Sequence, residues 1–143
     1  MTILPDVNVL LAAHRNDNPN HAEAAAVLDR IAGHGFALCS HTWNGFIRLS
    51  TLATVCQPPS PLKTVLEVVR EWRSRPDSRV LVDTSASWEI FDRICLERSA
   101  VGNAVYDVHL AALAIAHRCL VVSYDRDFTT IPGVKWKPPS ALV

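Results

Sequence analysis

The sequence has no C-x-x-C pair. Cys39, Cys56, Cys95 and Cys119 are scattered, whereas a zinc site needs tighter spacing. They read as small core hydrophobes of a reducing compartment. There is no excess of charge of either sign, since Lys plus Arg and Asp plus Glu each number 14. That balance argues against a nonspecific nucleic-acid coat protein and a polybasic membrane binder, while leaving room for a local basic strip. No apolar run approaches membrane-spanning length, and no charged-then-apolar leader opens the chain. The expectation is a soluble, cytoplasmic protein. Internal repeats, low-complexity tracts and long linkers are also missing, so residues 1–143 are expected to form one domain. That length buries a core without staples, and an apolar fraction of 49% excludes a disordered chain.

What is present is a regular alternation of short apolar runs and helical periodicity. Thr2-Ile3-Leu4-Pro5 reads as a strand, with Pro5 tolerable at its end. Val7 to Ala13 reads as a short helix, and His14 to Pro19 as a proline-closed loop. Asn20-His21-Ala22-Glu23 has the form of a capping box. It opens a helix with Ala24, Leu28 and Ile31 on one face, ended by Gly33 and Gly35. Phe36-Ala37-Leu38-Cys39 is a short buried strand; Ser40 or Thr42 caps the next helix, which runs to about Leu52. After Pro58-Pro59, Ser60 is expected as N-cap and Pro61 as first helical residue. That helix carries Leu62, Val65, Leu66, Val69 and Trp72 at helical spacing. Val80-Leu81-Val82 is a strand, and Trp88, Phe91, Ile94 and Cys95 mark a helix. Tyr106 to Ala116 is an alanine-rich helix, Cys119 to Ser123 the most continuous apolar strand, and Val134-Lys135-Trp136 a final short strand. The order β-α-α-β-α-α-β-α-α-β-β predicts right-handed crossovers and a mainly parallel sheet covered on both faces, a three-layer α/β/α fold.

Asp6 follows the first strand, and Asp125 lies two residues past Ser123. Asp107 begins the helix before that late strand, with Asn103 one turn earlier on the same face. Ligands of open parallel sheets gather at the carboxyl ends of the strands. Were the first and late strands neighbours, the three carboxylates would converge. Each alone also reads as a helix cap, because Asp accepts N–H bonds from a first helical turn. Converging carboxylates repel one another unless a cation neutralises them. Oxygen ligands without nearby His or Cys suit Mg²⁺ or Mn²⁺ rather than zinc. Such an ion polarises a phosphate oxygen and activates water for in-line attack, with no side-chain nucleophile needed.

Three segments carry a family resemblance: Asp6-Val7-Asn8-Val9-Leu10-Leu11, Asp107-Val108-His109-Leu110-Ala111-Ala112-Leu113-Ala114, and Val121-Val122-Ser123-Tyr124-Asp125-Arg126-Asp127-Phe128. In that order they resemble a PIN domain, and more narrowly the VapC-type toxins of bacterial toxin–antitoxin pairs. The tail Ile131-Pro132-Gly133-Val134-Lys135-Trp136 fits the mycobacterial branch. Any one motif is weak; three in order over the whole chain are specific. The resemblance implies a PIN-like α/β/α fold and a Mg²⁺-dependent endoribonuclease, with Mn²⁺ as alternative ion. It also implies hydrolysis of RNA phosphodiester bonds, a cognate VapB-like antitoxin and a homodimer. Asp6 and Asp107 would be the main metal ligands, with Asp125 completing the catalytic site. Asn8, Asn44, Asn103, Ser123 and Arg126 are candidates for supporting these ligands or touching substrate. Asp127 is another, although it reads first as a loop or cap acid.

One departure stands out. PIN domains usually carry a further acid, most often Glu, early in the helix after the second strand. Here that region reads Thr42-Trp43-Asn44-Gly45-Phe46-Ile47-Arg48-Leu49, and no carboxylate occurs between Asp29 and Glu67. Trp43, Asn44 and Gly45 all remain open as the position that replaces it. The neutral Asn44 leads to an expected site that holds one metal tightly and a second only with substrate phosphate. It also supports the alternative of a catalytically weak PIN-fold module that binds RNA or antitoxin.

Arg70, Arg73, Arg75 and Arg79 read first as cations around a helix C-terminus and second as RNA phosphate contacts. Trp43, Trp72, Trp88 and Trp136 read as core or interface residues rather than base-stacking platforms. An aspartate-nucleophile phosphatase needs a general acid two residues after the nucleophile, where this chain has Asn8. A phosphoacceptor domain needs a Lys after a late strand, and residues 119–127 contain none.

Overall fold

The apolar runs at the centre of the sheet, Ile3–Pro5, Phe36–Cys39 and Leu120–Val122, become strands buried on both faces, as expected of a sheet held between two layers of helices, while the outer strands are largely exposed. In the computed structural model, which describes residues 1–143, the chain runs β1 (Ile3–Pro5), α1 (Val7–His14), α2 (His21–Arg30), β2 (Phe36–Cys39), α3 (Ser40–Ser50) and α4 (Leu62–Ser74). It continues through β3 (Ser78–Leu81), α5 (Ser85–Arg98), α6 (Ala104–His117), β4 (Leu120–Val122) and β5 (Trp136–Lys137), with short 3-10 turns at Arg126–Thr130 and Pro139–Leu142. Strand pleating divides the core. Ile3, Phe36, Leu38 and Val122 point into a cluster shared with α1 to α4; Leu4, Ala37, Cys39 and Val121 point into one shared with α5 and α6. No helix is long and apolar enough to cross a membrane.

All pairings in the sheet are parallel, in the order β3-β2-β1-β4-β5. The chain moves outward from β1 to β3 and then returns to lay β4 on the other side of β1. The register pairs Ile3 with Leu120, Leu4 with Val121 and Pro5 with Val122. This is the switch point of the topology, where the carboxyl ends of neighbouring strands open a crevice. Pro5 has no N–H to give, and the Asp6 N–H bonds Val122 O at 2.9 Å just beyond it.

Several local expectations change under tertiary competition. Asn20 stands at the start of α2 but makes no side-chain cap bond, so the capping box does not form. Its own N–H instead bonds Asn18 Oδ1 at 2.9 Å. Ser60 does not cap α4, which begins at Leu62 with Pro61 at the N-cap. The Ser60 hydroxyl is buried, 3.0 Å from His14 Nε2 and 3.1 Å from Arg15 Nη1. At α3 the cap falls on Cys39, and Thr42 Oγ1 accepts the Cys39 N–H at 3.1 Å. The apolar face of α4 is only half used: Val65 and Val69 are buried, while Leu62 and Leu66 are 56% and 41% exposed. The last strand lies slightly later than its apolar pattern suggests, at Trp136–Lys137.

Candidate active site

Beyond the end of β4, Ser123 is wholly buried, and its hydroxyl ties the crevice together. Ser123 Oγ donates to Asp6 Oδ2 at 2.7 Å. It accepts from Asn8 Nδ2 at 3.0 Å and from the Asp125 N–H at 3.0 Å. One donor and two lone pairs exhaust what a hydroxyl can offer. Asn8 Oδ1 also receives the Tyr124 N–H at 3.3 Å. The ends of β1 and β4 are thereby joined through side chains as well as through the sheet.

Asp6 caps α1 and also lies in the crevice network. At the N-cap of α1 its Oδ1 accepts the Val7 N–H at 2.7 Å. Burial raises its pKa; the Ser123 and Val7 hydrogen bonds and His41 oppose the rise, and Asp125 adds to it. Asp107, half-buried in the first turn of α6, is pushed up to about 6, by burial first and then by the charges of Asp125, Asp6 and Asp127. Arg98 acts in the opposite direction. Asp125 caps the 3-10 turn after β4, its Oδ1 accepting the Asp127 N–H at 2.8 Å. Asp127 is exposed, yet its charge still reaches Asp107.

The ion pairs of the protein are Arg15–Asp17, Arg75–Asp77, Arg93–Glu97 and His109–Asp83, none of which involves the crevice acids. Uncompensated carboxylates of this kind are the setting that a divalent cation relieves. At the same time, no three His, Cys, Asp or Glu side chains stand together as a ready-made cage. Asp6 and Asp107 therefore fit a hard ion that takes one or two carboxylates and keeps water and substrate oxygens in the rest of its shell, as Mg²⁺ does. They do not fit an all-protein site of the structural-zinc type.

The other candidates are dispersed. Asn8 and Ser123 belong to the network just described. Asn103 is exposed at the N-cap position of α6 and makes no side-chain cap bond. Arg126 is exposed and pairs with neither Asp125 nor Asp127. Asn44 is exposed on α3. Its neighbour Gly45 lies against α1, where an added Cβ would stand 2.8 Å from Val7 Cγ2. The α3 group near enough to act on Asp6 is instead His41 in its first turn, whose burial favours the neutral ring while Asp6 favours the charged one. Sequence reasoning passed over His41; its signal is its place just after β2, the strand that pairs with β1. The pair formed by His109 Nε2 and Asp83 Oδ1, 2.8 Å apart, was missed as well. Nothing local links two residues 26 positions apart.

The PIN domain family model matches residues 3–134. Ribonuclease VapC25 of Mycobacterium tuberculosis is 35% identical over 139 residues, covering 95% of this chain and 98% of its own. Ribonuclease VapC37 of the same organism is 33% identical, covering 96% and 97%. A crystal structure of VapBC2 from Rickettsia felis, bound to a promoter DNA fragment, superposes with a TM-score of 0.71 at 17% identity, covering 96% and 98% of the two chains. That last likeness shows the fold. The chain belongs to the PIN domain family and, within it, to the VapC ribonucleases.

Proposed function

We propose that this protein is the Mg²⁺-dependent endoribonuclease toxin of a VapBC-type pair, hydrolysing RNA phosphodiester bonds at Asp6, Asp107 and Asp125, with Mn²⁺ able to substitute. The observation that carries this reading is the convergence of strand ends: Ser123 holds Asp6 and Asp125 together, and both charges act on Asp107. The ribonuclease names of the relatives support it. A cation held by Asp6 and Asp107 would polarise a phosphate oxygen and lower the pKa of an attacking water. The chain's own groups set up that reaction. Val7 N–H and Ser123 Oγ fix the two oxygens of Asp6 in one orientation, each keeping a lone pair for a ligand. Asp107 has no hydrogen bond among the causes of its shift, so its carboxylate is free to meet an incoming ligand. Asp125 and Asp127 add negative charge that repels RNA phosphate when no cation is bound, which makes productive binding conditional on the metal.

The VapBC neighbour supports a VapB-like antitoxin as partner. A basic side chain from it would supply the counter-charge that no internal ion pair gives the crevice. Leu62 and Leu66 on α4 offer an apolar surface for a homodimer.

The test is cleavage of a mixed RNA pool by purified protein. Cleavage is expected with Mg²⁺, and is expected to stop on chelation and in Asp107→Asn. Expression alone should stall growth, and co-expression of the antitoxin should restore it. Equal cleavage by Asp107→Asn at limiting Mg²⁺ would overturn the site assignment. The neutral Asn44 and the missing three-ligand cage favour a second reading, a module that binds RNA or antitoxin with little catalysis. RNA binding without cleavage at saturating Mg²⁺ would establish that reading in place of the first.

A further inference from the structure

We propose that a pocket beside the acid cluster, between the carboxyl ends of β2 and β3 and the flank of α6, receives one unstacked base of the RNA next to the scissile phosphate. This rests on the ribonuclease reading above. The cavity is about 250 Å³, with His41, Trp43, Val82, Asp83, His109 and Leu113 among the residues that line it. It lies below the roughly 300–1,000 Å³ of pockets for drug-sized ligands, so it suits one planar ring system.

Its wall is aliphatic with the rings of His41, Trp43 and His109 set into it, and the two imidazoles are held by neighbouring rings outside the pocket. The His109 ring is bonded to Asp83 at 2.8 Å and stacked on Trp88 with centroids 5.4 Å apart and planes 18° from parallel. The His41 ring lies 6.3 Å from that of His109 and 5.5 Å from that of Tyr106. Apolar side chains with π-faces and a few fixed polar atoms are what proteins use to receive bases splayed out of single-stranded RNA. Two features join the pocket to the crevice. His41 lines the pocket and is close enough to Asp6 for its charge to act there. On α6, Asp107 belongs to the acid cluster and Leu110, one turn later on the same side of the helix, lines the pocket. A chain whose phosphate meets Asp107 therefore has an adjoining base within reach of this wall.

The experiment first sequences the RNA ends made by the parent protein, which locates the scissile phosphate. Short RNAs around it are then made with an abasic residue at each of the two flanking positions. Loss of the base at one of them is expected to lower kcat/KM about tenfold or more. Val82 is 62% exposed at the pocket rim, so Val82→Trp places an indole over the mouth without entering the core. It should bring cleavage of intact RNA down to the abasic level and cause no further loss on abasic RNA, with an unchanged melting temperature. Trp88→Ala, which removes the exposed partner of His109, should follow the same pattern more weakly. The proposal is overturned if both abasic RNAs are cleaved like the intact one, or if neither variant alters kcat/KM. It is also overturned if the variants release the antitoxin while RNA cleavage stays intact, which would assign the pocket to an antitoxin side chain. A parent protein that cleaves nothing in the pool defeats the ribonuclease reading itself, and the pocket's role with it.

Discussion

Ser123 Oγ donates to Asp6 Oδ2 at 2.7 Å across a separation of 117 residues. The same oxygen accepts from Asn8 and from the Asp125 backbone, so one hydroxyl joins the chain after β1 to the chain after β4. Ser123→Ala would strand those two donors and remove a bond that favours ionised Asp6. The expected cost is about 1–3 kcal/mol of unfolding free energy. Mg²⁺ affinity should fall as well, since a more proton-avid Asp6 is a poorer ligand. Urea unfolding and calorimetric titration would measure both. Unchanged metal affinity in a destabilised variant would leave Ser123 a role in folding only.

Asp107 makes stability depend on pH. Its pKa rises from 3.8 to about 6 in the fold. Between those values the folded state binds more protons than the unfolded state, so this group's contribution falls as pH rises through the window. The metal-free protein should therefore lose stability between about pH 4 and pH 7, and melt at a lower temperature at pH 7 than at pH 5 by this group's share. Asp107→Asn, which never ionises, should escape that loss, so its advantage over the parent should grow as pH rises through the window. Saturating Mg²⁺ should reverse the trend, because a bound cation favours the ionised acid. Identical pH profiles for parent and Asp107→Asn would refute this account of the cluster.

Positions 44 and 45 should respond differently. A Cβ at Gly45 would stand 2.8 Å from the stiff, branched Val7 side chain, so Gly45→Ala is expected to cost about 1–3 kcal/mol despite its better helix propensity. Asn44 is exposed, and Asn44→Glu should change stability by no more than about 0.5 kcal/mol. If the exposed side chain at 44 reaches round to the crevice, Glu there should also tighten Mg²⁺ binding. It need not raise the maximal rate, because tighter ground-state binding does not stabilise a transition state. Calorimetry that finds no tightening would remove this helix from the metal's surroundings.

Arg75 should behave as a structural residue. Its Nε and Nη2 bond both Asp77 oxygens at 3.0 Å, and its guanidinium lies 4.8 Å from the Phe36 ring centroid. Arg75→Ala is expected to lose about 1 kcal/mol of stability with RNA affinity unchanged. A drop in RNA affinity without destabilisation would return the arginine cluster to the substrate path.

The sequence by itself determined the order of elements and the acids at their ends. Strand burial and helix periodicity are written in residues a few positions apart, and Asp6 and Asp125 stand directly after the runs that become β1 and β4. The choice between helix cap and crevice acid was not legible, because Asp6 accepts the Val7 N–H as a cap with one oxygen and the Ser123 hydroxyl in the crevice with the other. Only the tertiary structure decided which long-range partner each polar group took. Ser60 left its helix start for His14 and Arg15, and Asn20 gave no cap. His41 came to act on Asp6, while His109 met Asp83 and Trp88 in the pocket wall. Competing hydrogen bonds differ by only about 1 kcal/mol, so local preference yields to whichever group the packed sheet and helices bring within reach.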